Sequence, residues 1–91
     1  MQKIRKKLTE EWVDIATFIN DTVSTDDKYR IYNRGNSNVL LLETDTAPSA
    51  SSVDGESLLV NERVTFTKPS GSTLYMRAEN GDTILNIVKV D

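Results

Sequence analysis

Two pairs of adjacent carboxylates, Glu10-Glu11 and Asp26-Asp27, are the first residues in this sequence that could do chemistry. Paired acids work as general acid and base when their surroundings push their pKa values apart. Neighbours on a strand point to opposite faces, however, and Asp26-Asp27 lies in a run of Ser, Thr and Asp where both would be solvated. Solvated surface charge is the reading these pairs support. Asp45, Asp54 and Glu56 form a second group, and Asp21 with Asp26 and Asp27 a third, with the hard oxygen donors a calcium site uses. Neither has the D-x-D-x-D-G spacing that wraps such donors round one ion, so no metal is expected.

Nucleophilic catalysis has still less to work with. Ser and Thr are plentiful, but the chain contains no His and no Cys. That removes the Ser–His relay, the thiolate nucleophile, the disulfide and the Cys/His metal site together. No G-x-S-x-G elbow is present, and the four glycines, at 35, 55, 71 and 81, are spaced for turns and not for a phosphate cradle. The expectation is a protein that is not an enzyme and carries no cofactor.

What remains is binding. Lys3, Arg5, Lys6 and Lys7 are four of the eleven basic residues, which leaves seven against fourteen acidic ones over residues 8–91. Residues 1–7 therefore read as a flexible basic arm on an acidic body. Its plainest role is a solvated tail that aids solubility or docks on an acidic neighbour. Contact with nucleic acid, if made, would run through the arm and phosphate charge, with no specific nucleic-acid binding. Among the aromatics, Trp12 and Tyr29 are expected in the core, while Tyr32 and Tyr75 point outward and could anchor a protein interface or, as the weaker option, a stacking platform for sugars or bases.

The elements that must hold these residues are strands. Apolar runs separated by turn residues about every ten positions are the mark of an antiparallel sandwich or barrel. The runs are 29–33, 39–43, 58–60, 63–67, 73–78 and 83–90, rich in β-branched and aromatic residues. Alternation turns Leu74, Met76 and Ala78 one way and Tyr75 and Arg77 the other; Val64 and Phe66 likewise oppose Arg63, Thr65 and Thr67. Residues 34–38 and 79–82 read as hairpin turns and 68–72 as a third turn. The long break at 44–56 is either a contact loop or the crossover between two sheets. In the N-terminal third, Thr9 with early acids and Trp12, Ile15, Ala16 and Ile19 at helical spacing argue for a helix. The β-branched and aromatic content favours a strand over about 10–16, then an irregular segment through Asp27. The fold class is all-β: a small antiparallel β-sandwich, Greek-key or jelly-roll-like, over residues 8–91, with the short basic arm before it. No stretch approaches the roughly 20 apolar residues of a membrane span.

In their order, several phrases resemble small virion proteins of tailed bacteriophages. They are residues 8–15 (Leu-Thr-Glu-Glu-Trp-Val-Asp-Ile), 29–35 (Tyr-Arg-Ile-Tyr-Asn-Arg-Gly), 39–43, Ala47-Pro48, Gly55, 58–62 and 74–79 (Leu-Tyr-Met-Arg-Ala-Glu). The segment 16–25 is longer than the short turn this family resemblance implies. The resemblance implies a β-sandwich on a virus particle, as a capsid decoration or cement protein or a tail accessory subunit, and brings no catalytic or ligand residues with it. The expected partners are phage capsid or tail proteins and further copies of the chain, a homotrimer being favoured, with no membrane; the expected location is the virion, assembled in the host cytoplasm. Lys3, Arg5, Lys6, Lys7, Tyr32 and Tyr75 are the candidate contact residues. A receptor- or carbohydrate-binding module on the tail is the alternative.

Overall fold

Short strand-forming runs each have one face to bury, and two sheets laid face to face are how a chain of this length buries them. The structure, a computed structural model, describes residues 3–90. In chain order it contains β1 (Lys3–Leu8), β2 (Val13–Asp14), the helix α1 (Ile15–Ile19), β3 (Lys28–Asn33), β4 (Val39–Thr44), β5 (Glu56–Leu58), β6 (Arg63–Thr67), β7 (Thr73–Ala78) and β8 (Thr83–Val90). A first sheet runs β1-β8-β3-β6 and a second β2-β7-β4-β5, all neighbours antiparallel. First pairs with last: β1 with β8, β2 with β7, β3 with β6 and β4 with β5. This is one long hairpin rolled into a sandwich, which is the jelly-roll arrangement.

Alternation fills the interior. Tyr29 and Ile31 of β3, Leu74, Met76 and Ala78 of β7, and Leu85 and Ile87 of β8 are all buried between the sheets. Phe66 joins them, but Val64 is 37% exposed, because β6 is an edge strand on an open flank. Trp12 is only half-buried and does not enter the core cluster.

The connections differ from the sequence reading. Residues 34–38, 68–72 and 79–82 each carry the chain from one sheet to the other, so the two expected hairpins are crossovers. The long 45–55 segment joins β4 to β5, neighbours in one sheet, and is itself the hairpin loop. Turn residues set local φ, not the sheet that the next strand joins. The run at 58–60 also shifts: β5 ends at Leu58, and Leu59 and Val60 form a turn closed by Glu62 N–H on the Leu59 carbonyl (3.0 Å) and Leu59 N–H on Glu62 Oε1 (2.8 Å).

Residues 3–7, expected to be an arm, belong to β1, paired with β8 from Lys3↔Val88 to Leu8↔Thr83. β8 is long and central, and without β1 one side of its backbone would lack partners. Met1 and Gln2, the rest of that arm, lie outside the described residues, as does Asp91. The strand expected over 10–16 shrinks to Val13–Asp14 and is followed by α1. Asp14, not Thr9, is the N-cap: its Oδ2 accepts from Thr17 N–H at 3.3 Å. Ile15, Phe18 and Ile19, at positions i, i+3 and i+4, put one apolar face into the core.

Three of the crossovers meet at one end of the sandwich around Asn33, which is fully buried. Its Nδ2 donates to the Ser37 carbonyl (2.8 Å) and the Leu58 carbonyl (3.2 Å). Its Oδ1 accepts from Thr83 Oγ1 (2.9 Å) and Gly35 N–H (3.3 Å). Gly35 is required there, since a Cβ would overlap Thr83 Oγ1 and the Ile84 amide nitrogen. The Asn33-Arg34-Gly35 phrase is thus a structural corner that ties both sheets together.

Candidate interaction surfaces

A sandwich whose interior is filled by its own side chains must recognise partners with its faces, edges and loops. Strand register decides which side chains share a face. On the outer side of the first sheet, Arg5, Asn86, Tyr32 and Arg63 form one row across the four strands, and Lys3, Val88, Arg30 and Thr65 the next. Lys7 and Lys28 extend the face at either end. The four strands of this sheet contain no Asp or Glu at all. Arg63 and Arg34 place their guanidinium carbons 4.7 and 5.1 Å from the centroid of the Tyr32 ring, within cation–π range.

Of the residues singled out from sequence, Lys3, Arg5, Lys7 and Tyr32 come together here. Lys6 does not. Its parity turns it inward, where Nζ donates to the Phe18 carbonyl at 3.1 Å and lies 5.4 Å from the Phe18 ring, tying β1 to α1. Tyr75 is on the outer side of the second sheet, in register with Asp14 and Leu42. The sequence reading missed Lys28, Arg30, Arg34 and Arg63. Their signal was the alternation Lys28-x-Arg30-x-Tyr32 together with four acid-free strand segments.

The outer side of the second sheet is covered in part by the 45–55 loop. The Ser52 carbonyl accepts from Trp12 Nε1 (2.9 Å) and from the Arg77 guanidinium (3.5 Å). Arg77 also donates through Nε to the Ala78 carbonyl (3.0 Å) and lies 3.7 Å from Glu10. Outward-turned Arg77 is buried beneath these contacts, and Leu40, its register partner on β4, is buried as well. Gly55, at φ 125°, returns the loop to β4, where a Cβ would sit 2.7 Å from the Leu41 carbonyl oxygen. Among the described residues no three carboxylates gather as a cation site.

The two flanks of the sandwich are unlike. On one, α1 bridges β1 and β2, with Phe18 and Ile19 in the core cluster. On the other, edge strands β5 and β6 leave an open cleft of about 440 Å³ that reaches the core residues Phe66 and Leu74 and is also lined by Leu41, Val64, Glu43 and Glu56. Leu59, 47% exposed, and Val60 lie on the turn that joins these two edge strands. No protein-family model, curated protein or solved structure matches this chain.

Proposed function

We propose that this chain is a non-enzymatic structural protein of a tailed-bacteriophage virion, assembled in the host cytoplasm, that binds capsid or tail proteins and stabilises the particle as a decoration, cement or tail accessory subunit. The observation that carries this reading is the open β5/β6 flank. It is a cleft floored by Phe66 and Leu74 between two unpaired strand edges, with Val64 exposed in its lining and Leu59 and Val60 exposed on the turn that joins the two strands. Exposed apolar side chains beside free strand edges suit addition of a partner strand or docking of a neighbouring subunit. The same edges can join copies of the chain, a homotrimer being the favoured form. Tyr32 and Tyr75 lie on opposite sheets, and Tyr32 is flanked by two guanidinium groups, so the aromatic platform of a sugar-binding module is the less supported alternative.

Co-sedimentation with undecorated capsids and, separately, with tails tests the proposal, together with the solution mass by light scattering. Saturable binding that is lost in Leu59→Asp/Val64→Asp is expected, with little dependence on salt because the contact is apolar. Binding to neither particle part overturns the reading.

A further inference from the structure

We infer that the outer face of the first sheet binds the phosphodiester backbone of nucleic acid without reading its base sequence. Six exposed cations share this face: Lys3, Arg5 and Lys7 on β1, Lys28 and Arg30 on β3, and Arg63 on β6. Same-face residues along a strand repeat at about 6.7 Å and strands lie about 4.8 Å apart, so the cations, spread over four rows from Lys7 to Lys28, cover a patch of roughly 20 by 14 Å. Among the described residues, the only carboxylate that pairs with one of the six is Asp82, which lies 3.7 Å from Lys7, with both side chains about half exposed or more. Among the described residues the acids are on the second sheet and in the connections.

Protection of a free edge would account for the basic residues of β1, since Lys on an edge strand discourages stray pairing. It does not account for Lys28 and Arg30, because β3 is an interior strand between β8 and β6. Nor does packing account for Asn86 at the centre of the face. It is 7% exposed, its Oδ1 has no hydrogen-bond partner, and the outward positions on either side of it are Ile84 and Val88. An unpaired buried oxygen costs the fold stability, and here it leaves an unsatisfied polar group at the centre of the face.

The chemistry of the face selects the ligand. The core of a protein–protein contact is depleted of charge and built on apolar or aromatic anchors, whereas nucleic-acid interfaces are far more positive. This face is the reverse of the β5/β6 flank, where Leu59 and Val64 are exposed. Arg34 and Arg63, held over Tyr32, present planar N–H forks suited to non-bridging phosphate oxygens. The chain's net charge of −3 does not cancel the local field. The sandwich is 19 Å through its shortest dimension, about twice the screening length of roughly 8 Å at physiological salt. This inference is independent of the particle-binding reading and uses a different surface.

Fluorescence anisotropy of a labelled 20-base-pair DNA duplex, and of a single strand of that length, tests it from 50 to 300 mM salt. Contact with about five duplex phosphates predicts a slope of log K against log salt near −4.5. Arg30→Ser/Arg63→Ser removes two charges from the face and should weaken binding about tenfold or more and flatten the slope by about 1.8. Lys68→Glu, on the β6–β7 turn, makes the same net charge change and should leave binding within about twofold; circular dichroism checks that both variants are folded. No binding at 50 mM salt, or equal loss in both variants, overturns the inference. So does an Arg30→Ser/Arg63→Ser defect confined to salt-sensitive capsid or tail sedimentation, which would make the face a site for acidic protein. The Leu59→Asp/Val64→Asp variant should bind DNA normally, so failure of the particle reading and failure of this one are told apart.

Discussion

Replacing Asn33 by Ala should be among the most damaging single changes outside the apolar core. Asn33 is fully buried, and its amide makes four hydrogen bonds, two of them short: 2.8 Å to the Ser37 carbonyl and 2.9 Å from Thr83 Oγ1. Each buried group left unpaired costs about 1–3 kcal/mol. Counting the two short bonds fully and discounting the contacts at 3.2 and 3.3 Å, the loss is about 3 kcal/mol. For a domain of this size that lowers Tm by roughly 12–24 °C, while a total stability of about 5–15 kcal/mol leaves the variant folded. Thr83→Val removes one donor and should cost about 1 kcal/mol. Urea unfolding followed by Trp12 fluorescence and by circular dichroism gives both numbers. A double-mutant cycle should show coupling, because the two residues share one bond. Asn33→Asp sharpens the test, since its carboxylate would face the Ser37 and Leu58 carbonyls and its folded pKa would stand above the usual value near 4. The folded state would then hold its proton more tightly than the unfolded chain, so stability should fall as pH rises above about 4. A loss below about 1 kcal/mol for Asn33→Ala, or no pH dependence in Asn33→Asp beyond that of the wild type, refutes the corner as the tie between the sheets.

Gly35→Ala should lower Tm by about 10 °C or more, because its methyl meets the Thr83 hydroxyl and the Ile84 backbone, which cannot both retreat. Burial of the Tyr29 phenol, the largest influence, raises its pKa above 10, with Asp27 and Asp21 adding to the rise and Lys89 opposing it. The folded state therefore keeps this proton longer than the unfolded chain: the contribution is intact below pH 10 and is lost as pH rises above it. The decline in the urea midpoint between pH 9.5 and 11 should be shallower in Tyr29→Phe. Trp12→Phe removes the 2.9 Å bond to Ser52; it should cost about 1 kcal/mol and speed limited proteolysis within residues 45–55, read by mass spectrometry. Deleting residues 1–7 should unfold the protein instead of releasing a soluble body, because β1 completes one edge of β8.

Five of the strands, β3, β4, β6, β7 and β8, were legible to within a residue. Their alternation and β-branched content arise from the same half-buried environment that makes them strands. β1 was not legible, because an edge strand carrying Lys3, Arg5, Lys6 and Lys7 has the composition of a solvated tail. α1 is too short for its period to stand out, and its cap, Asp14, doubles as the last residue of β2. Connectivity was hidden for a different reason: Gly81 and its neighbours bend the chain equally well into a hairpin or across to the other sheet. The candidate residues fared according to parity. Lys3, Arg5, Lys7 and Tyr32 share a face, but Lys6 turns inward and Tyr75 belongs to the other sheet. Alternation puts Lys28 and Arg30 on one side of β3 with Tyr32, but that this side also carries Arg63 and the β1 cations follows only from cross-strand register, which a linear pattern does not carry.

The first-with-last pairing of the strands also constrains how the protein is made. As the chain leaves the ribosome, only the β4–β5 hairpin can close between neighbours in sequence. The β3–β6 pair can close only across the two intervening strands, and β1 and β2 have no partner until β8 and β7 emerge. Such long-range closure is slow, on the order of milliseconds to seconds. Until the last two strands arrive, β3 and β4 each lack the neighbour on one side and the sandwich interior stays open, the state in which exposed apolar surface and free strand edges favour misassembly.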